Sequence, residues 1–180
     1  METKTAITPW TVTHPVCLVD GSDREFRHLV NGLLPFAARL LSVRDGFGSL
    51  ISLTGAQYSM IRSISTLSEL GEVTVNQLAD HLHLSGAFIT IETGKLKKLG
   101  LIDKTAHAED RRKMCLTVTI AGDRLLNELL PVQQRINDVL FYGVSLSEFK
   151  VLCSVIDRLV ANGDRAAIDL EHLQARRNHN

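Results

Sequence analysis

Apolar residues recur at three- and four-residue spacing along most of this chain, and the pattern turns β-prone only between residues 101 and 119. From Asp23 to Arg44 the run Phe26, Leu29, Val30, Leu33, Leu34, Ala37, Leu40 and Leu41 predicts one amphipathic helix. Pro35 removes a hydrogen bond inside it and is expected to kink or split it. Residues 45–49, reading DGFGS, predict a loop. Thr54 and Gln57 have capping-box spacing, so a second helix is expected to about Leu70, with Ile61, Ile64 and Leu67 inward and Gly71 as its stop. Thr74 and Gln77 repeat the box and open a short helix to about His83, whose inward set is Val75, Leu78, Ala79 and Leu82. After a turn at His83 and Leu84, Ser85 caps another helix that buries Ile89, Leu96 and Leu99 and closes at Gly100.

Two β-prone runs, residues 101–106 and 114–119, flank the loop EDRRK at 109–113. Helix, short turn, helix and hairpin in that order predict a winged helix-turn-helix with a two-stranded wing. Helical spacing resumes at Leu125, Leu126, Leu129, Leu130, Ile136, Val139 and Leu140, with a bend expected at Pro131. Ser145 and Glu148 form a third capping box ahead of Phe149, Val151, Leu152, Val155, Ile156, Leu159 and Val160. Past Gly163 a separate polar helix is expected to about Gln174. These late helices carry more Leu and Val than a small winged domain needs for its own cover, which points to a partner subunit. The expected fold is mainly α with a small two-stranded wing, a winged helix-turn-helix joined to a helical dimerisation region. Its parts are an N-terminal arm (1–22), the winged domain (53–122) and the dimerisation region (23–52 with 123–175).

The length of 180 residues suits one compact core and is small for two. A net charge of zero argues at first against a nucleic-acid binder. The distribution argues otherwise: from Lys95 to Lys113 seven Lys or Arg stand against three acidic residues, a local excess of four positive charges. On charge alone, a solvated helix end with its neighbouring loop stays open as the alternative. Cys17, Cys115 and Cys153 are an odd number with no CxxC or Cys/His ligand spacing, so neither a disulfide scaffold nor a structural zinc site is expected. No apolar run approaches the roughly 18 residues of a membrane span, and a cytoplasmic protein is expected. Nothing matches GxSxG, HExxH or a Gly-rich phosphate loop, and His81 and His83 face different sides of a helix. No enzyme activity, cofactor or metal is expected.

From about residue 53 to 160 the chain resembles the MarR family of bacterial transcription regulators. The resemblance rests on Leu53, Thr54 and Gln57; on Thr74 with Gln77, Leu78 and Ala79; on Leu84 and Ser85; and on Leu96 with Gly100, Leu101 and Ile102. Asp110, Arg111 and Arg112, then Val118, Thr119 and Gly122, and finally Leu146, Ser147 and Glu148 complete it. It implies a homodimer with interlocked terminal helices, each subunit laying a recognition helix in the major groove of double-stranded DNA and a wing along the minor groove. Ser85, Ala87, Phe88, Thr90, Ile91 and Lys95 would face the bases, Arg111, Arg112 and Lys113 the minor groove or phosphates, and Asp110 would brace the wing through an arginine. Many members carry Ser or Thr at the position of Phe88 and Arg at that of Ile91. Without that arginine, the usual bidentate reader of guanine, readout falls to Thr90, Thr93 and Lys95, and an AT-rich palindromic operator is expected.

The resemblance also implies a repressor released by a small-molecule effector, such as an aromatic carboxylate or related metabolite, bound where the first and dimerisation helices meet the winged module. Trp10, His28, Phe36 and Arg39 are the candidates there, against the plainer reading of Phe36 as core and of His28 and Arg39 as solvated. Two other readings remain open. Cys17 lies near the start of the first long helix, where some members sense oxidants, although its context CLVDG offers an aspartate and no tyrosine. The other alternative is a protein-interaction module that binds no DNA.

Overall fold

The computed structural model describes residues 9–107, 110 and 113–178. It divides into two compact units, residues 1–133 and 134–180.

In the first unit a short 3₁₀ turn, Pro15–Cys17, precedes helix α1, Arg24–Leu50. The arm is tied down at its far end: the Thr11 N–H and hydroxyl donate to Asp23 Oδ2 at 2.8 and 2.9 Å. Helix α1 runs unbroken through Pro35 and through residues 45–49, so neither the split nor the loop expected there occurs. Packing outweighs the local glycine signal. Phe47 is buried edge-on against Tyr58, with ring centroids 5.6 Å apart. Gly48 lies so close to Leu53 and Thr54 that an added Cβ would be 2.8 Å from their backbone.

Helix α2, Gly55–Ser68, opens on the predicted capping box, both halves of which measure 3.1 Å between Thr54 and Gln57. Strand β1, Val73–Thr74, leads directly into α3, Val75–Leu82, whose cap is Thr74 with Gln77. Helix α4, Gly86–Lys98, is followed by β2, Ile102–Ala106, and β3, Met114–Val118. The sheet is antiparallel with order β1-β3-β2, so the expected two-stranded wing gains a third strand. Two residues are too few to show alternation in sequence, but Val73 is buried and pairs with Leu116.

Ile61, Ile64, Leu78, Ile89, Leu96 and Ile102 are completely buried and form the centre of this unit with Leu116. Each such side chain contributes about 1.5–3 kcal/mol by leaving water. Leu99 does not join them: it is the C-cap of α4, just before the turn at Gly100 (φ +72°), and is 58% exposed. Thr93 takes an inward position instead, its hydroxyl donating to the Ile89 carbonyl at 2.6 Å. Helix α5, Ile120–Leu140, starts two residues before Gly122 and contains Pro131 without ending there. The Thr119 hydroxyl donates to Gly100 O at 2.7 Å and accepts from the Gly122 N–H at 3.1 Å. A Cβ on Gly122 would be 2.2 Å from Leu101 O, which restricts this site to glycine.

The second unit holds the last turns of α5 and helix α6, Leu146–Arg177, started by the Ser145 and Glu148 capping box. Phe141 packs edge-on against Phe149 at 5.9 Å. Helix α6 continues through Asn162 and Gly163, so no separate polar helix exists. One interior glycine costs only about 1 kcal/mol, and good helix formers such as Ala166 and Ala167 follow it. None of the residues of α6 is buried. Among the described residues no helix is long and apolar enough to cross a membrane.

Candidate nucleic-acid interface

Helix α3 ends with His83 in the left-handed region (φ 51°, ψ 44°), and the Leu84 N–H returns to the Ala79 carbonyl at 3.0 Å. That reversal turns the chain into α4, where Ser85 Oγ accepts from the Phe88 N–H at 3.2 Å. Ser85, Ala87, Phe88, Thr90 and Ile91 are all exposed, Ile91 at 59%, while Ile89, Thr93 and Leu96 anchor the opposite side in the core. The Thr90 hydroxyl donates to Gly86 O at 2.8 Å, which leaves its methyl group and an acceptor lone pair for an outside partner. Thr93, expected among the base readers, is fully buried and hydrogen-bonded inside the protein, so it cannot reach a groove.

Lys95 is exposed but engaged: its Nζ donates to Glu92 Oε1 at 2.6 Å. The almost fully buried Glu92 also accepts from Gln57 Nε2 at 2.9 Å. The Lys95 hydrogen bond, with help from Gln57 and against the effect of burial, holds its carboxyl below the ordinary value. Gln57 therefore caps α2 with its Oε1 and fixes α4 with its Nε2. The Glu92 and Lys95 spacing is visible in sequence; the partner 35 residues away is not.

A second tie joins α4 to the sheet. Lys104 on β2 donates to Thr93 Oγ1 at 3.0 Å and reaches the Thr90 carbonyl at 3.5 Å. Burial, then the charge of Lys97, lowers the pKa of Lys104. Next to it, Thr74, Val75, Asn76, Thr90, Lys113 and Met114 help line a cavity of about 240 Å³ between the helix pair and the root of the wing. The wing loop is pinned by the His107 N–H to Lys113 O at 3.0 Å and by the Lys113 N–H to Asp110 O at 2.8 Å. The Asp110 N–H donates to His107 Nδ1 at 3.3 Å. Lys113 is exposed. Arg111 and Arg112 lie outside the described residues, and with them any arginine partner of Asp110 in the loop.

The effector candidates are all exposed. Trp10 stands on the arm, and His28, Phe36 and Arg39 are strung along α1, with Arg39 Nη1 donating to Pro35 O at 3.1 Å. His28 and Arg39 are eleven residues apart, about 16 Å along a helix axis, so one small ligand does not span them. Sequence reasoning missed a cavity of about 380 Å³ between the end of α1 and α5, lined by Leu50, Ile51, Ser52, Leu125, Glu128, Leu129 and Val132. The apolar spacing had placed Leu125 and Leu129 on a helix expected to face a partner subunit. Cys17 is half-buried at the end of the 3₁₀ turn.

Two helices joined by a left-handed turn, the second exposing its first turns beside a small antiparallel sheet, define a winged helix-turn-helix protein. A sequence model described as MarR family matches residues 51–113, about a third of the chain. Over those residues the chain resembles the MarR family of transcription regulators. A MarR protein from Peptoclostridium difficile shares its fold with a TM-score of 0.63 at 19% identity, covering 85% of this chain and 96% of that one. A crystal structure of MarR gives a TM-score of 0.57 at 25% identity, with 77% and 93% covered. The MepR–DNA complex from S. aureus gives 0.61 at 15% identity, with 72% and 92% covered. No curated protein matches the chain by sequence.

Proposed function

We propose that the protein is a sequence-specific double-stranded DNA-binding regulator that acts as a homodimer and represses transcription until a small molecule releases it. The observation that carries this reading is the exposed first half of α4: five side chains with no role in the core, on a helix held rigidly by Gln57, Glu92 and Lys104 beside a basic wing. The S. aureus relative of the same fold is a complex with DNA. Ser85, Ala87, Phe88, Thr90 and Ile91 contact base edges, with the Thr90 methyl suited to thymine and an AT-rich palindrome as the target. Arg111, Arg112 and Lys113 bind phosphates or the narrow minor groove. Lys95 serves α4 through Glu92 as much as it serves DNA.

The homodimer reading rests on the apolar side chains that α1 and α6 each leave in water, among them Leu29, Leu34 and Leu41 on α1 and Leu152, Leu159 and Leu173 on α6. For the effector, the cavity between the end of α1 and α5 is a better candidate than the residues along α1. The Glu128 carboxylate on its wall favours a neutral or cationic apolar compound over an aromatic carboxylate. The test is fluorescence anisotropy with palindromic promoter DNA at two salt concentrations. Binding that falls steeply with salt, with a slope reduced by about one unit in Arg112→Ala, is expected. Salt-insensitive binding, or none to any double-stranded DNA, overturns the reading.

A further inference from the structure

Among the described residues one group of side chains is suited to hold a metal ion: Glu72, His107 and Cys115, whose ligand atoms all lie within 4.8 Å of one another. Glu72 is far in sequence from the other two, and all three meet at the sheet. Cys115 in β3 stands opposite Thr74 on one side and Thr105 on the other. Glu72 immediately precedes β1 and His107 immediately follows β2, and their ligand atoms converge on Cys115. His107 Nε2 is 3.1 Å from Glu72 Oε2. Cys115 is buried, His107 half-buried and Glu72 exposed, which gives the group a dry inner side and a wet outer side.

We propose that Glu72, His107 and Cys115 form a site for one divalent cation of borderline softness, of the zinc class. The donor set decides the class: thiolate and imidazole favour zinc or its chemical neighbours, whereas magnesium and calcium require oxygen ligands. Three protein ligands, one of them exposed, leave the fourth tetrahedral position to water. A hydrogen bond between His107 and Glu72 is the simpler account of those two residues, but it has no use for the sulfur beside them.

Binding has a defined structural consequence. The cation replaces the protons on Cys115 Sγ and His107 Nε2. The neutral imidazole then carries its proton on Nδ1, where the Asp110 N–H now donates. That hydrogen bond is surrendered, while the Lys113 N–H to Asp110 O bond does not involve the imidazole. The site thus links a cation to the conformation of the wing loop. The metal site itself does not depend on the DNA-binding reading.

The full chain, dialysed against chelator and kept reduced, is titrated with zinc and separately with cobalt. One equivalent per chain is expected, with a thiolate-to-cobalt charge-transfer band that Cys115→Ser abolishes. His107→Gln and Glu72→Gln, both at less buried positions, test the site should Cys115→Ser fold poorly; each is expected to weaken zinc at least roughly tenfold. Absence of the band, its persistence in Cys115→Ser, or zinc affinity unmoved in both other variants overturns the proposal, since any zinc bound would then sit on other residues.

Discussion

In the winged module Ile61, Ile64, Leu78, Ile89, Leu96 and Ile102 are withdrawn from water inside a single chain, whereas α6 carries Val151, Leu152, Ile156, Leu159 and Val160 with none buried. Both regions use the same aliphatic residues at the same helical spacing. They differ in where the complementary surface comes from. Three helices and a sheet cover one another in the module, and within one chain α6 has no such cover. The apolar area exposed on α6 is the surface that the homodimer proposed above would cover.

The sharpest way to break that contrast is to make one truncation in both places. Leu96→Ala is expected to lower unfolding stability by about 2–5 kcal/mol at every protein concentration. Leu159→Ala should instead shift sedimentation toward monomer and make the melting temperature more dependent on concentration, with under about 0.5 kcal/mol lost in dilute protein. Equal, concentration-independent losses from both would make α6 part of an ordinary intrachain core.

A smaller effect probes how the module fixes its reading helix. Glu92 has its folded pKa below the ordinary 4.5, so the stability it contributes is present above that value and disappears as pH falls through the lowered one. In Glu92→Gln this part of the acid sensitivity should vanish. Urea unfolding between pH 3 and 7 measures it: the wild-type curve should fall more steeply below about 4.5 than the variant's. Parallel curves would mean that the carboxylate is not held by Lys95 and Gln57 in solution.

The smallest effect concerns the exposed side of α4. Thr90→Ala should change preference at one base pair of each half-site by about 1 kcal/mol and leave melting nearly unchanged. Selection of bound sequences from a random pool measures this. A uniform loss across all sequences would return Thr90 to a purely structural role.

What could be read in the sequence was local. The three capping boxes at Thr54, Thr74 and Ser145 are present because each pairs residues three apart, a distance at which sequence and geometry coincide. The order of helices followed from the same short-range periodicity, and the outward first turns of α4 from the family resemblance. The misreadings came where distant packing decides. Gly46 and Gly48 signalled a loop, but both are helical, and Gly48 packs closely on Leu53 and Thr54. Thr93 was judged by its hydroxyl and its place on α4, yet it is fully buried and its oxygen is engaged by Ile89 O and Lys104. The pairing of Glu92 with Gln57, the third strand and the meeting of Glu72, His107 and Cys115 all depend on tertiary contact, which no single segment announces.

The close approach at Gly122 has a mechanical consequence. With Leu101 O lying where a side chain would begin, and with the Thr119 hydroxyl bridging Gly100 and Gly122, the start of α5 and the end of α4 meet in a joint without slack. Leu125, Glu128 and Leu129, which wall the cavity beside α1, sit on the two turns of α5 that follow. If the effector proposed above binds in that cavity, a shift of α5 there would be carried through this joint to the end of α4.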